Sequence, residues 1–300
     1  AYPHKVVGAS IMGQKKEHWQ TLVRRLEAAG VDFIECSFSC PHGMPERGMG
    51  STIGQDAGLT ERTARWVKEA AQRAPVSIKV TPLVADLPHI ARAVHKSGAD
   101  AITAINTVKC LIGVDIDNFV PYPTVDGKSS YGGYSGAAIK PISLRCVAEI
   151  AKAVDMPISA TGGITTWRDA VEFLLCGARN LQVCTAAMKH GFRVIEDLTD
   201  GLSVYLEDKG MSSVEELVGL ALPNIVEHSH LSREYKPVSK INLETCIKCD
   251  VCYIACQDGG HQAITLDEKR LPHVDEEKCV GCGMCASVCP VWECIQMAPR

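Results

Sequence analysis

Eight of the fifteen cysteines form two runs that repeat the same spacing near the C-terminal end of the chain. Each run reads C-x2-C-x2-C-x3-C, and the members are Cys246, Cys249, Cys252 and Cys256, followed by Cys279, Cys282, Cys285 and Cys289. In the bacterial ferredoxin pattern, the first three thiolates of a run bind one [4Fe–4S] cluster and the fourth binds the other cluster. This pattern assigns one cluster to Cys246, Cys249, Cys252 and Cys289, and the other to Cys279, Cys282, Cys285 and Cys256. The spacing therefore predicts electron transfer through two clusters.

A pair of zinc sites is the alternative, because zinc also binds four thiolates. Zinc sites rarely repeat this run, and Cys289 is followed by Pro290 as in ferredoxins. The first run departs from the pattern, since Gln257 follows Cys256. Cys294 has no place in either run, and we expect it to be a small, buried apolar side chain.

Composition and charge limit the classes of function. The chain has 300 residues, and its net charge of −4 provides no basic field for nucleic acid or an anionic membrane surface. No apolar run approaches the roughly 18 residues of a membrane-spanning helix. Residues 1–5 lack the basic and apolar regions of a signal peptide, and clustered thiols are typical of metal sites in a reducing compartment. We therefore expect a cytoplasmic protein that binds neither nucleic acid nor membranes.

A second set of candidate residues follows short apolar runs between residues 5 and 220. These positions supply hydroxyls, thiols, an amide, a lysine and glycines, and they are Ser37-Phe38-Ser39-Cys40, Lys79, Asn106-Thr107, Thr161-Gly162-Gly163 and Cys184-Thr185. Such groups suit a polar ligand and make a poor hydrophobic core. The glycines, together with Cys184 and Thr185, are typical of a phosphate site late in a barrel.

Alternating strands and helices are expected to position these groups. Helical patterns cover 16–29, 60–73, 87–97, 141–154, 167–176, 192–208 and 213–221. Between them lie apolar or β-branched runs at Val6–Ala9, Phe33–Cys36, Val76–Val80, Ala101–Ile105, Ile158–Ala160 and Leu181–Val183. Such runs predict parallel strands that are apolar on both faces. Repeated βα units without a reversal of direction predict a TIM-type (β/α)8 barrel with its chemistry at the carboxyl ends of the strands.

Six of the eight βα units can be counted, and we expect the first two units of the barrel to be missing from this sequence. An open six-stranded α/β sheet is the alternative. The domain prediction is a barrel over 1–222, a linker over 223–238 and a small α+β ferredoxin-like domain over 239–300. A phosphate-binding barrel joined to two clusters implies a flavin that exchanges electrons with them.

Two long segments follow strands on the predicted catalytic face. They cover 37–58 and 108–138, and long glycine-rich loops at this face are typical of lids. The glycines at 48, 50 and 54 do not join a strand directly to a helix, so they do not form a dinucleotide fingerprint. No other stretch is typical of a nicotinamide-binding turn, and we expect the NAD(P)H site on another chain.

The motifs around the predicted site occur in a recognisable order. They are Phe38-Ser39-Cys40-Pro41-His42-Gly43-Met44, Glu46-Arg47-Gly48-Met49-Gly50, Ile105-Asn106-Thr107-Val108, Tyr131-Gly132-Gly133-Tyr134-Ser135-Gly136, Ala160-Thr161-Gly162-Gly163-Ile164 and Leu181-Gln182-Val183-Cys184. In these motifs the chain resembles the dihydropyrimidine dehydrogenases, namely the catalytic subunit of the bacterial NAD-dependent enzyme and the C-terminal half of the animal enzyme. The resemblance covers nearly the whole chain, including the Gln257 departure in the cluster module.

The resemblance implies that reduced FMN passes hydride to C6 of uracil or thymine, while Cys40 on a mobile loop donates a proton to C5 as the general acid. It implies substrate contacts from Ser37, Phe38, Ser39, Asn106 and Thr107. It implies FMN contacts from Lys79, Gly136, Thr161, Gly162, Gly163, Cys184 and Thr185. Ser37 departs from the asparagine that is usual in the family.

The resemblance also implies a second subunit, which carries FAD, oxidises NAD(P)H and forms a hetero-oligomer with this chain. Two other functions remain as alternatives. An enzyme like the dihydroorotate dehydrogenases would share the barrel, although such enzymes do not usually carry the tandem cluster module on the same chain. A non-catalytic iron–sulfur electron carrier would not need Cys40, Lys79 or Asn106.

Overall fold

The computed structural model of the chain describes residues 4–40, 48–232 and 234–300. The chain divides into two compact units, one up to Ile225 and one covering Val226–Arg300. The division falls within the predicted linker 223–238.

A six-stranded parallel sheet forms the centre of the first unit. Its strands are β1 (Gly8–Ile11), β2 (Phe33–Ser37), β3 (Val76–Val80), β4 (Ala101–Ala104), β5 (Ile158–Thr161) and β6 (Asn180–Gln182). The strands pair in this order, and every pairing is parallel. A doubly wound sheet reverses its order at one point, whereas consecutive order without a reversal is that of a barrel. The predicted barrel class, with six strands present, is confirmed.

Eight α-helices flank these strands in the described part of the first unit. They are α1 (Lys16–Ala29), α2 (Ser51–Gly54), α3 (Ala57–Ala70), α4 (Leu87–Lys96), α5 (Lys140–Ala153), α6 (Trp167–Leu175), α7 (Thr185–His190) and α8 (Val194–Asp208). Side-chain caps fix several of the starts. The Asp56 carboxylate accepts a hydrogen bond from the Leu59 amide before α3, and Asp86 accepts one from the His89 amide before α4.

The predicted helix over 213–221 is wrong. Ser213 and Glu216 form the expected capping box, but the element that follows is a 3-10 helix at Val214–Leu217. The turn does not continue because Gly219 has a φ of +79°, and Pro223 has no amide hydrogen to extend a helix.

The two faces of the sheet differ in polarity. On the face that packs against the helices, Ile34, Ile78 and Ile102 are fully buried. Side chains alternate between the faces of a strand, and the opposite face carries Ser10, Glu35, Ser77, Lys79, Thr103, Ser159, Thr161 and Gln182. The prediction that the strands are apolar on both faces is therefore wrong. The polar face corresponds to the interior of the barrel.

The segment 108–138, predicted as a loop, contains four short strands. Val108–Cys110 pairs with Gly132–Tyr134, and Gly113–Asp115 pairs with Val120–Tyr122, both antiparallel. The large side chains of Ile116 and Phe119 are exposed in this segment. The backbone of the segment is thus ordered by its own pairings.

The second unit is a small α+β fold. Strands β7 (Pro237–Ile241) and β10 (Ile295–Pro299) form one antiparallel pair, and β8 (Ile264–Leu266) and β9 (Pro272–Val274) form another. Helices α9 (Val251–Asp258) and α10 (Met284–Val288) each begin inside one of the cysteine runs. This architecture confirms the predicted ferredoxin-like class. Across the described residues of the whole chain, no helix is both long enough and apolar enough to cross a membrane.

Candidate active site and cluster sites

A cavity of about 220 Å³ opens at the carboxyl ends of the barrel strands. Nine of the predicted site residues line it, namely Lys79, Asn106, Thr107, Gly136, Thr161, Gly162, Gly163, Cys184 and Thr185. Most of them come from the ends of β3 to β6 and from the segments directly after these strands. Enzymes of this barrel type place their chemistry at the same end of the strands.

The turn after β5 brings backbone rather than side chains to the cavity. Gly162 and Gly163 have φ values of +117° and +98°, which favour glycine. A Cβ on Gly163 would lie 2.7 Å from the backbone nitrogen of Lys140, and one on Gly162 would lie 2.9 Å from Ser143 Oγ. Only glycine therefore fits this turn, and such bare backbone lets amides approach a phosphate closely. The turn fits the phosphate end of a flavin nucleotide.

An ion pair between Asp169 and Lys140 fixes the residues that follow this turn. Asp169 Oδ1 accepts a hydrogen bond from Lys140 Nζ at 2.7 Å, and Oδ2 accepts hydrogen bonds from the amides of Thr165 and Thr166. Burial alone would raise the pKa of Asp169, but the hydrogen bonds from Lys140, Thr165 and Thr166 outweigh it and hold this pKa well below its usual range. Thr166 and Asp169 also form the capping box of α6.

Thr185 connects the start of α7 to the segment 108–138. Its Oγ1 donates a hydrogen bond to Ser135 Oγ at 3.0 Å. Gly136 has a φ of +92°, and a Cβ there would lie 3.3 Å from Thr185 Cγ2. The predicted residues Gly136 and Thr185 therefore meet at one wall of the cavity.

Asn106 is held by its neighbours in a fixed orientation. Its Nδ2 donates a hydrogen bond to Ser39 Oγ at 2.9 Å, and Ser39 Oγ donates one to the Lys79 carbonyl at 3.0 Å. The Thr107 amide donates to Asn106 Oδ1 at 2.7 Å. Ser39 is only 2% exposed, so water does not compete for its hydroxyl. The hydrogen bond between Ser39 and Asn106 therefore holds the Asn106 amide in one orientation.

Two of the predicted substrate residues, Ser37 and Phe38, are not among the residues that line the cavity. Phe38 is fully buried, and its ring meets the Trp19 ring edge-on at 5.4 Å between centroids. The structure thus places the Phe38 side chain in the core, where aromatic rings contribute much buried area. Ser37 ends β2 and pairs in register with Lys79.

Cys40, the predicted acid, is half-buried, and its carbonyl accepts a hydrogen bond from the Ser51 amide at 3.2 Å. Cys40 is not among the described residues that line the 220 Å³ cavity. The motif residues 41–47 that follow it, His42 among them, lie outside the described part of the chain.

The eight predicted cluster cysteines line two separate cavities in the second unit. One cavity is lined by Cys246, Cys249, Cys252 and Cys289, and the other, of about 430 Å³, by Cys256, Cys279, Cys282 and Cys285. These are the two sets that the ferredoxin pattern predicts. Cys294 is 2% exposed and lines the first cavity as well. No three His, Cys, Asp or Glu side chains in the described ranges converge as ligands of a single ion.

Each cysteine run wraps its cavity with left-handed backbone at matching positions. Lys248 and Asp250 in the first run have φ of +59° and +62°, and Gly281 and Gly283 in the second have +71° and +73°. The Ala263 amide donates a hydrogen bond to Cys256 Sγ at 3.3 Å, a contact of the kind that tunes iron–sulfur clusters. Burial raises the pKa of the Cys252 thiol to about 11, so bound metal is needed to hold the thiolate at neutral pH. The residues fit two four-cysteine clusters.

Comparisons with known proteins identify both units of the chain. A family model described as dihydroorotate dehydrogenase matches residues 2–206, and one described as a 4Fe-4S dicluster domain matches residues 239–297. NAD-dependent dihydropyrimidine dehydrogenase subunit PreA of Escherichia coli K12 is 48% identical over 300 residues, which cover 99% of this chain and 72% of that protein. The chain belongs to the dihydropyrimidine dehydrogenase family. The chloroplastic dihydropyrimidine dehydrogenase (NADP(+)) of Arabidopsis thaliana is 39% identical over 242 residues, 78% of this chain and 57% of that protein.

The fold of this chain is similar to that in a crystal structure of a dihydroorotate dehydrogenase from Eimeria tenella, in complex with ferulenol. The TM-score is 0.60 at 21% sequence identity, and the match covers 73% of this chain and 62% of that one. Membership of the dihydropyrimidine dehydrogenase family makes the chain an oxidoreductase, with a flavin-type barrel joined to an iron–sulfur domain for electron transfer.

Two residues in or beside the cavity, Gln182 and Glu35, were missed in the sequence. Glu35 lies in the middle of β2, is 7% exposed, and pairs with Lys79 Nζ at 3.2 Å. The signal was present, because a carboxylate between Ile34 and Cys36 in an apolar strand is costly without a partner. Gln182, which lines the cavity, was also missed; it donates a hydrogen bond to Glu35 Oε2 at 3.0 Å.

Proposed function

We propose that this chain is the catalytic subunit of a dihydropyrimidine dehydrogenase, which reduces the C5–C6 double bond of uracil or thymine to the 5,6-dihydropyrimidine. One observation carries the proposal. A single cavity combines a glycine turn suited to a phosphate, a lysine and an oriented amide. These are the groups that a flavin nucleotide and a small polar ring require.

Each residue of the cavity has a role in this proposal. Bound FMN, once reduced, supplies the hydride that C6 of the pyrimidine receives. The Lys79 ammonium stabilises negative charge on the flavin ring, and Asn106 and Thr107 bind the polar edge of the pyrimidine. The remaining residues hold FMN, and they are Gly136, Thr161, Gly162, Gly163, Cys184 and Thr185.

Cys40 supplies the proton. Its thiol donates a proton to C5 as hydride reaches C6, so the double bond gains one hydrogen at each carbon, and water then returns a proton to the thiolate. Cysteine thiols are mostly protonated at neutral pH, which suits a general acid. Because Cys40 does not line the cavity here, the proposal requires Cys40 itself to shift towards the substrate.

The clusters connect this chemistry to a partner. We infer that electrons enter from a second subunit, which carries FAD and oxidises NAD(P)H, and pass through the two [4Fe–4S] clusters to FMN. The Escherichia coli relative is itself named as a subunit, which supports a hetero-oligomer.

A Cys40→Ala variant tests the catalytic proposal. We expect turnover of uracil to fall by at least a hundredfold, as is typical when a general acid is removed, while dithionite still reduces the clusters. Cys110→Ala is the matched control, because Cys110 is also half-buried but lies in the segment 108–138 outside the cavity lining. Equal turnover in both variants would contradict an acid role for Cys40, whereas no turnover of uracil by the unaltered, flavin-loaded protein would favour a non-catalytic electron carrier.

A dihydroorotate dehydrogenase-like activity is the second candidate. The observation in its favour is that the family model for residues 2–206 is described by that name. Orotate carries a carboxylate that uracil lacks, so the two substrates separate the candidates. Faster reoxidation of the reduced flavin by orotate than by uracil would favour this second function.

A further inference from the structure

Glu35 is a buried carboxylate that holds Lys79. Its Oε1 accepts hydrogen bonds from Lys79 Nζ at 3.2 Å and from Ser10 Oγ at 3.4 Å. Its Oε2 accepts a hydrogen bond from Gln182 Nε2 at 3.0 Å. Gln182 Nε2 also donates to Ser159 Oγ at 3.0 Å. Side chains from three strands, β1, β3 and β6, therefore fix the position of this carboxylate.

Glu35 lies behind the cavity rather than in it. Lys79 and Gln182 line the 220 Å³ cavity, whereas Glu35 lines a separate cavity of about 490 Å³ on the polar face of the sheet. Lys79 thus contacts the Glu35 carboxylate and also lines the cavity in which we place FMN. An arrangement of this kind lets a residue act on a ligand that it does not touch.

We propose that Glu35 is a positioning residue, which fixes the Lys79 ammonium and offsets its charge, and thereby keeps the reduction potential of the bound flavin low. The inference rests on the proposed function, because it requires a flavin in the 220 Å³ cavity. A flavin gains negative charge on reduction, and a nearby cation favours the reduced form. Charges shielded from water interact strongly at these distances, so the carboxylate weakens that preference and keeps the reduced flavin a better hydride donor.

The test is the reduction potential of bound FMN, measured against reference dyes in the flavin-loaded holoprotein. Glu35→Gln keeps the shape and removes the charge, so we expect the preference for reduced over oxidised FMN to increase about tenfold, which is about 30 mV for a two-electron couple. Lys79→Met should shift the potential in the opposite direction. Glu149→Gln is the matched control, because Glu149 forms an exposed pair with Arg145 on α5 and should leave the potential unchanged.

A second variant guards against a failure to fold. Glu35→Asp keeps the buried charge but withdraws it from Lys79 by one methylene group, and we expect a positive shift smaller than that of Glu35→Gln. If Glu35→Gln does not fold, the Glu35→Asp value decides the question.

The outcomes separate this inference from the proposed function. An unchanged potential in the folded Glu35 variants, with a lowered potential in Lys79→Met, would overturn the role of Glu35 and leave the flavin site intact. Failure of the unaltered protein to bind FMN would overturn the proposed function itself. A structural role alone would lower the melting temperature of the Glu35 variants without moving the potential.

Discussion

At the scale of single residues, the site depends on side chains that hold others in place. Asn106 is oriented by Ser39 on one side and by the Thr107 amide on the other. An amide whose oxygen and nitrogen are both engaged presents one fixed pattern of donors and acceptors. Under the proposed function, Ser39 therefore contributes to substrate recognition through Asn106.

Ser39→Ala removes the acceptor for Asn106 Nδ2. We expect KM for uracil to rise about fivefold, because one hydrogen bond contributes about 1 kcal/mol, with a smaller change in kcat. Steady-state kinetics measure this split. Ser203→Ala on α8, where the exposed hydroxyl donates to the Thr199 carbonyl, is the control and should leave KM unchanged. An unchanged KM in Ser39→Ala would mean that Asn106 does not need this support.

Single residues also show what the sequence can and cannot predict. Lys79 was identifiable as a site residue, because a lysine late in an apolar strand needs a partner. The same argument applies to Glu35. The sequence does not show that Lys79 and Glu35 are each other's partners, because the two residues are 44 positions apart. The motif around Cys40 predicts Phe38 as a substrate contact, but whether a ring turns into the core depends on packing partners such as Trp19.

At the scale of elements, the turn after β5 is held by close contact with the start of α5. Gly163→Ala would bring a Cβ to 2.7 Å from the Lys140 nitrogen at a φ of +98°. We expect a loss of about 1–3 kcal/mol in stability and weaker FMN binding, measured by thermal unfolding and flavin fluorescence. Gly210→Ala is the control, because its φ is +67° and a Cβ there would meet nothing within 4 Å. Equal effects in the two variants would show that strain alone, without the clash, matters.

The capping box of α6 makes the barrel sensitive to acid. The hydrogen bonds to Asp169 hold its pKa well below the usual range, so its stabilising contribution is complete above the unfolded-state pKa of about 4 and is lost as pH falls towards the folded-state pKa. Asp169→Asn should lower the free energy of unfolding at pH 7 by about 1–3 kcal/mol, since buried donors lose their acceptor. The variant should also show a weaker dependence of stability on pH below 4. Denaturant unfolding at several pH values tests both expectations, and parallel curves for the two proteins would contradict them.

The βα repeat was predictable because each helix and strand has a strong local pattern. Asp86 and Gly30 mark helix ends through contacts within a few residues. The strands in 108–138 were missed because Val108–Cys110 and Gly132–Tyr134 are three residues each, and only their mutual pairing defines them. The polar face of the sheet was likewise missed. A single polar residue in an apolar run does not show a polar face until the strand is paired with its neighbours.

At the scale of the whole molecule, the two cysteine runs form interdependent sites. The spacing alone predicted that the last cysteine of each run would join the other set, and the two cavities are lined in that way. The two ligand sets could be predicted from the sequence because the spacing of the cysteines alone defines the ferredoxin pattern. The division into two units near residue 225 falls within the linker that the sequence predicts over 223–238.

Crossed ligation predicts which variants resemble each other. Cys289→Ser should remove the same cluster as Cys252→Ser, and Cys256→Ser should remove the same cluster as Cys285→Ser. Iron content should fall from about eight to about four atoms per chain in each variant. Electron paramagnetic resonance of the remaining cluster should be identical within each pair. Matching spectra for Cys289→Ser and Cys285→Ser, which belong to one run, would contradict the crossing.

The central claim is that a pyrimidine is reduced in the barrel cavity by a flavin. The most direct measurement is anaerobic: the protein, loaded with FMN and both clusters, is reduced, uracil is added, and the flavin absorbance is followed while products are analysed. We expect the flavin to be reoxidised and dihydrouracil to form. Bound FMN that stays reduced with uracil, but is reoxidised by orotate, would contradict the claim and assign the chain to the other activity.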